Sequence, residues 1–208
     1  MVVGLFLDGA LVVAGAIGDE RVAAAWDHPS VLEEQTVGAL GAHLARGSWI
    51  VADYLHAGTP PAPPDFDSAA QYFAVFADTA DSEMHRGIRD RGAALAAGGP
   101  HALLDTFRAN LEALGPELER LPGDHAMSVI GGKVIRLGDY LVTRIVEQAV
   151  HLDDLARSIG AEPWALPAGH VELSLAVGID IARLRRGSPA VLRAVYRRGF
   201  AEEALPAL

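Results

Sequence analysis

The sequence predicts an all-α protein: a four-helix bundle carrying a short β-hairpin and a helical C-terminal extension. Three observations point there. Hydrophobic residues make up 50% of the chain but aromatic residues only 6%, so the core is built from Ala, Leu and Val, a mixture that favours helices. Apolar residues recur at three- and four-residue intervals over several long stretches, the period of a helix with one buried face. Pro- and Gly-rich breaks separate those stretches, and one segment alone, AMSVIGGKVIRL, reads as strand. A chain of 208 residues can bury a good core, and the breaks divide it into a bundle over 1–160 and a helical extension over 161–208.

Residues 2–25 read as the first helix, with Val3, Phe6, Leu7, Leu11 and Ala14 on its apolar side and an irregularity near Gly15 to Gly18. Trp26 to Glu34 is a loop. Thr36 is an N-cap for the second helix, in which Val37, Leu40, Leu44, Val51 and Leu55 form the inward column and His43 lies beside it. TPPAPP then forces an extended linker. A third helix is expected over Ala69 to Ala97, with Tyr72, Phe73, Phe76, Met84, Ile88 and Leu95 as buried candidates, and a fourth from His101 to Leu121, interrupted near Gly115-Pro116. Val129-Ile130 and Val134-Ile135, separated by Gly131-Gly132, give the hairpin signal. The fifth helix spans 137–159, closed by Gly160, and helices over 170–186 and 188–198 complete the chain, the last capped by Ser188 with Pro189 in its first turn.

Composition excludes whole classes of function. A net charge of -10 argues against a nucleic-acid or anionic-membrane surface, which needs a basic patch. The chain has no cysteine. Disulfides, thiolate metal sites and cysteine nucleophiles therefore drop out together, any metal must be held by His and carboxylate, and any thiol must come from outside. The apolar first residues lack a preceding Lys or Arg and are interrupted by Asp8, so they read as helix rather than leader, and the expected compartment is the cytoplasm.

The fifth helix carries the chemistry. Leu137, Leu141, Ile145, Ala149, Leu152 and Leu155 give it a wide apolar face, against which runs a narrow polar stripe of Tyr140, Arg144, Glu147, His151 and Asp154. Glu147 and His151, one turn apart, can hold a divalent cation if a further ligand arrives from another helix. Spacing alone proves little. With eight histidines and 27 acids, an acid four residues before a histidine turns up by chance roughly once, and here it turns up twice, the second time as Asp81 and His85 in a stretch charged all round that reads as a solvated face. Glu147 can equally be satisfied by Arg144, and His43 by a backbone carbonyl in the core; the sequence leaves these alternatives open. His28 and His125 fall in loops, and His56, His101 and His170 at helix ends, where capping or solvent is the usual role. The arginines from Arg183 to Arg198 read as a solvated helix face or as partners of nearby acids.

These residues carry a resemblance. TVGALGAHLA, ending shortly after His43, followed later by Arg144-x-x-Glu147-x-x-x-His151-x-x-Asp154, resembles the metal-binding domain of mycothiol-dependent maleylpyruvate isomerases, within the wider DinB/YfiT-like group of helical bundles. The resemblance implies a DinB-like bundle in which His43, Glu147 and His151 ligate a metal, usually zinc, with mycothiol as thiol cosubstrate. It departs in two places: where family members carry a Trp before the Thr-Val and an acid two residues after the Val, this chain has Gln35 and Ala39. The isomerases also bear a mixed α/β domain after the bundle, where this sequence predicts helices.

Two imidazoles and one carboxylate suit zinc and leave a coordination position open. The leading expectation is an enzyme that activates a low-molecular-weight thiol toward an electrophilic small molecule by transfer or isomerisation. Arg144 would orient Glu147 in it and Asp154 would hold the His151 ring. The alternatives are a metal-dependent hydrolase of the same fold, or a non-catalytic metal-binding bundle with a protein partner. A homodimer is compatible with the sequence.

Overall fold

A computed structural model describes residues 2–58, 60, 62–76 and 83–207, without the side chains of 83–85 and 88. Its helices are α1 (Val2–Ile17), α2 (Glu20–Ala24), α3 (Val37–His56), α4 (Ala69–Phe76), α5 (Glu83–Ala96), α6 (Gly99–Arg120), α7 (Leu137–Ser158), α8 (His170–Arg186) and α9 (Ser188–Tyr196), with strands β1 (Ala126–Ser128) and β2 (Val134–Arg136) between α6 and α7. Four long helices make the bundle. Both α1 and α3 lie against α6 and α7, so each pair occupies opposite corners. On the outside, α5 covers α3, and α8 packs on α4 and α7. No helix among the described residues is long and apolar enough to cross a membrane.

Local chemistry sets the helix ends. Thr36, in extended conformation, accepts the Ala39 amide on its hydroxyl at 3.1 Å and so opens α3. Gly160 closes α7 in the left-handed region at φ +62°. Its amide donates to Arg157 while that of Ala161 donates to Ala156, the paired bonds of a Schellman end. The first predicted helix divides at Gly18, where Asp19 caps a separate short α2 through the Arg21 amide.

Several expectations need correcting. Among the described residues the long third helix is two helices, α4 against α7 and α8 and α5 against α3, which serve different sides of the bundle. Asp81 lies outside the described residues, as do the side chains of Met84, His85 and Ile88. The fourth helix runs through Pro116 without a break. Leu114 and Leu118, 1% and 0% exposed, hold both sides of the proline in the core, while Glu112, whose carbonyl loses its usual donor, is exposed to water. The hairpin pairs Met127 with Ile135, and Gly131 and Gly132, both at positive φ, lie within a longer loop instead of forming a two-residue turn. Gly187, not Ser188, caps α9.

The hairpin aims the helix that follows it. β2 ends at Arg136 and α7 begins at Leu137, whose amide donates to the His125 carbonyl at 2.8 Å. The core then divides along the bundle. One cluster gathers Leu137, Leu141 and Ile145 with Phe6, Leu114, the hairpin and α4; the other gathers Leu152 and Leu155 with Val13, Ile17, Leu40, Leu44 and Phe107. Between them, α7 carries Glu147, Gln148 and His151.

Trp26 fastens this arrangement. Its indole N–H donates to the Ala96 carbonyl at 2.9 Å and its ring lies flat on Gly38, where an added Cβ would come within 2.6 Å of the ring. Gly38→Ala is therefore expected to displace the indole and lower stability by about 1–3 kcal/mol, read as a fall in the urea midpoint; an unchanged midpoint would show that the ring does not tie α3 to the end of α5.

Candidate metal centre

Three polar side chains converge from two helices. On α3, Leu40 and Leu44 are buried at 0% and 3%, which fixes the helix rotation and turns His43, between them, toward α7. On α7, Ile145 and Leu152, 0% and 2% exposed, play the same part and turn Glu147 and His151 toward α3. His43 Nε2 lies 3.1 Å from Glu147 Oε2, and His151 Nε2 lies 3.3 Å from the same oxygen. The imidazole planes stand at 87° with centroids 4.9 Å apart. One donor atom from each residue lies within 4.8 Å of the other two.

These separations fit a cation. Bonds of about 2.0–2.1 Å from N or O to a tetrahedral zinc put neighbouring donors about 3.3 Å apart, the spacing seen between Glu147 and each imidazole. The site also keeps an open side, because 24% of the Glu147 side chain remains accessible. Two neutral imidazoles and one carboxylate leave a fourth position free, which distinguishes an open, catalytic-type set of donors from a closed structural one.

Asp154 completes the arrangement. Its Oδ2 lies 3.0 Å from His151 Nδ1, which holds that ring with Nε2 toward Glu147 and fixes which nitrogen carries the proton. Arg144 sits one turn before Glu147 but makes no salt bridge with it among the described residues. Its Nε donates to Thr143 Oγ1 at 3.0 Å and its guanidinium stands 4.9 Å over the Tyr140 ring. Arg144 therefore acts on Glu147 through its charge.

Protonation follows from these contacts. Burial alone would raise the Glu147 carboxyl, but hydrogen bonds from His151 and His43 and the charge of Arg144 outweigh it and hold the group well below the usual carboxylate range. Burial alone would lower His151, yet the hydrogen bonds to Asp154 and Glu147 prevail and the imidazole is pushed up to about 9. Without a cation, the carboxylate is thus neutralised by a proton held on His151.

The other histidines described below are placed apart from this centre. His56 is exposed and pairs with Glu117 at 3.2 Å, and His28 and His101 are exposed. His170 departs from expectation: at a helix end, it is 0% exposed. It fills the space left by Gly9 together with Gln148, on the α1 side of α7. Among the C-terminal arginines, Arg183 pairs with Asp180 and Arg193 with Glu203, both at 3.0 Å. Sequence reasoning also passed over Arg46, Arg91, Tyr54 and Tyr72, which line a cleft running from His43; Arg46, one turn beyond His43 on α3, carried the only local signal.

Comparison with known proteins adds one finding. The description of the mycothiol maleylpyruvate isomerase N-terminal domain matches residues 14–156, a span that contains His43, Glu147, His151 and Asp154. No curated protein and no solved structure matches the chain.

Two outcomes are expected. A metal must displace the proton that His151 holds below about pH 9, so apparent zinc affinity should rise about tenfold per pH unit from about pH 7 to 9 and level off above; a chelator-competition series with no slope would contradict the proton's placement. Asp154→Asn removes the acceptor that fixes the His151 ring and should weaken zinc binding about 10–100-fold, measured by the same competition with the circular dichroism spectrum unchanged.

Proposed function

The chain belongs to the mycothiol maleylpyruvate isomerase N-terminal domain family, and on that premise we propose that it is a zinc-dependent enzyme. It activates a low-molecular-weight thiol, mycothiol first among them, for attack on an electrophilic small molecule. The product is a conjugate, or an isomer where the thiol is later expelled. The observation that carries this reading is the convergence of His43, Glu147 and His151 on one point with an accessible side.

His43, Glu147 and His151 would hold the ion. A cation bound there supplies a positive charge that favours the thiolate form of an incoming thiol at neutral pH. The chain contributes no thiol of its own, since it has no cysteine, and the two-substrate character of the reaction follows from that. Asp154 keeps the His151 Nε2 lone pair aimed at the site, at 3.0 Å from the opposite ring nitrogen. Arg144, over the Tyr140 ring, holds positive charge beside the carboxylate ligand and favours its ionised form.

The hydrolase alternative needs a general base near the open position. His43, Glu147 and His151 are committed as donors, and the cleft beside them presents arginines and tyrosines. Burial raises the pKa of Tyr54, Tyr72 and, most strongly, Tyr140, so these phenols stay protonated at neutral pH and cannot take a proton from water. A thiol starts far closer to ionisation than water, so a cation brings it to the thiolate with less help from the protein. The cytoplasm, with its pool of reduced thiol, is the compartment this chemistry fits.

Glu147→Gln tests the proposal. The variant keeps the side-chain shape and loses the only anionic donor. Zinc content by elemental analysis should fall to about a tenth or less of that of the unaltered protein, and mycothiol consumption with an electrophilic bimane should fall with it while the fold is retained. Turnover that survives both this substitution and chelation would refute the zinc-dependent mechanism.

A further inference from the structure

The family match stops at residue 156, and α8 and α9 lie beyond it. One side of α8 is committed to the bundle, with His170, Val177 and Ile181 buried where the helix packs on α4 and α7. The opposite side is apolar and open. Val171, Leu175 and Ile179 follow one another at four-residue steps and so form a stripe along one face. After Gly187, at φ +82°, α9 packs on the C-terminal end of α8, where its Val191 joins Ala182 and Ala204 in a small cluster. The outer face of α9 presents Leu192, Val195 and Tyr196, again three and four residues apart. These six side chains are between 39% and 70% exposed. Together they leave on the order of 600 Å² open to water, most of the roughly 800 Å² per partner that a stable association buries.

The charges beside the stripe are ordered about one point. Glu172 stands seven residues before Ile179 and Arg186 seven after it, close to two full turns or about 10 Å each way, so both share its face. Both are exposed, and among the described residues neither belongs to an ion pair. Asp180 and Arg183, by contrast, satisfy each other at 3.0 Å. An acid and a base at equal distances on either side of one apolar residue are too far apart to meet within a helix. They meet when a second copy lies antiparallel, because a twofold axis at Ile179 sets each Glu172 against the Arg186 of the other copy. Any other partner would need the reverse order of charges at the same spacing; a second copy supplies it by symmetry.

We propose that α8 and α9 form the interface of a homodimer in which two α8 helices pack antiparallel, Ile179 against its symmetry mate, with a Glu172–Arg186 ion pair closing each end. The same arrangement covers the rest of the apolar surface. Each α9 sits at the C-terminal end of its own α8 and therefore comes beside the bare N-terminal half of the other, where Leu192, Val195 and Tyr196 meet Val171 and Leu175. No residue of α8 or α9 lines the cleft at His43, so association and metal binding are separate properties of the chain.

Sedimentation equilibrium of the full chain from about 1 to 100 µM tests this, and the mass should reach that of two chains at the upper end. Ile179→Asp sets two carboxylates face to face on the axis and should weaken association about a hundredfold or more. Glu172→Arg should weaken it about tenfold, and the Glu172→Arg, Arg186→Glu double variant, which restores opposite charges across the axis, should recover it. Circular dichroism should be unchanged in all of these, since the substituted side chains are exposed. A chain that stays monomeric at the highest concentration, a dimer indifferent to Ile179→Asp, or a double variant no better than Glu172→Arg alone would each overturn the proposal. So would a monomer that cosediments with phosphatidylglycerol vesicles, which would assign the face to an anionic lipid surface. The measurement on the unaltered protein needs no variant to fold.

Discussion

A carboxylate set between two imidazoles, inside a bundle that is otherwise packed with aliphatic side chains, is the constraint around which the molecule is arranged. An ionised Glu147 without partners would cost several kcal/mol in such surroundings. It is kept because His43 and His151 stand 3.1 and 3.3 Å from one of its oxygens and because the charge of Arg144 is near. The hydrophobic core makes way for this layer, parting into a cluster around Leu141 and another around Leu155. The layer is electrically balanced in either of two states. Without a cation, His151 carries the compensating proton; a cation bound there would displace that proton and supply the charge, so that metal uptake and proton release would be one event.

How much of this the sequence discloses depends on whether the information is local. The period of α7 and the Glu147–His151 turn lie within one helix, so spacing alone displays them. His43 is legible for the same reason, since a cap at Thr36 and a column of Leu40 and Leu44 fix which way α3 faces. That the three meet is a long-range fact, supplied by family resemblance rather than by periodicity. The cleft residues were out of reach because their convergence depends on α5 settling onto the Ala39 carbonyl and on α4 packing against α7, contacts that leave no mark on local patterning. The unbroken helix through Pro116 is the converse case. There a local rule was overruled by the burial of Leu114 and Leu118 on either side, and the exposed carbonyl side could turn to water.

Charge distribution ties the site to its surroundings. The acidic surface repels anions at long range, while a few arginines gathered in a concave, aromatic-walled cleft produce a strong local field of the opposite sign. The position of Ala39 matters here. In this chain the residue is 5% exposed beneath α5, where the Ala39 carbonyl meets Gly92 closely and brings Arg91 of α5 to the cleft.

The opposite flank of α7 shows what holds the ligand layer in register. Gln148, next to Glu147, turns away from the site toward α1, where its amide nitrogen reaches the Phe6 carbonyl at 3.3 Å. Beside it lies His170, the first residue of α8, and both occupy the room left by the missing side chain of Gly9. Burial lowers the pKa of the His170 imidazole, with only the Ile145 backbone acting the other way. Neither ring nitrogen, nor the Gln148 side-chain oxygen, makes a well-formed hydrogen bond among the described residues. Unmet polar atoms of this kind cost about 1–3 kcal/mol each, and an apolar pair would pack there without that penalty. Their presence means that α1, α7 and α8 meet at a polar joint on the level of the ligands. Sliding α7 by one turn would carry Gln148 and Glu147 into the aliphatic clusters above or below, where neither could find a partner. The polar joint and the His43–Glu147–His151 layer thus oppose the same displacement from opposite faces of one helix, and the cost of leaving register is counted on both sides.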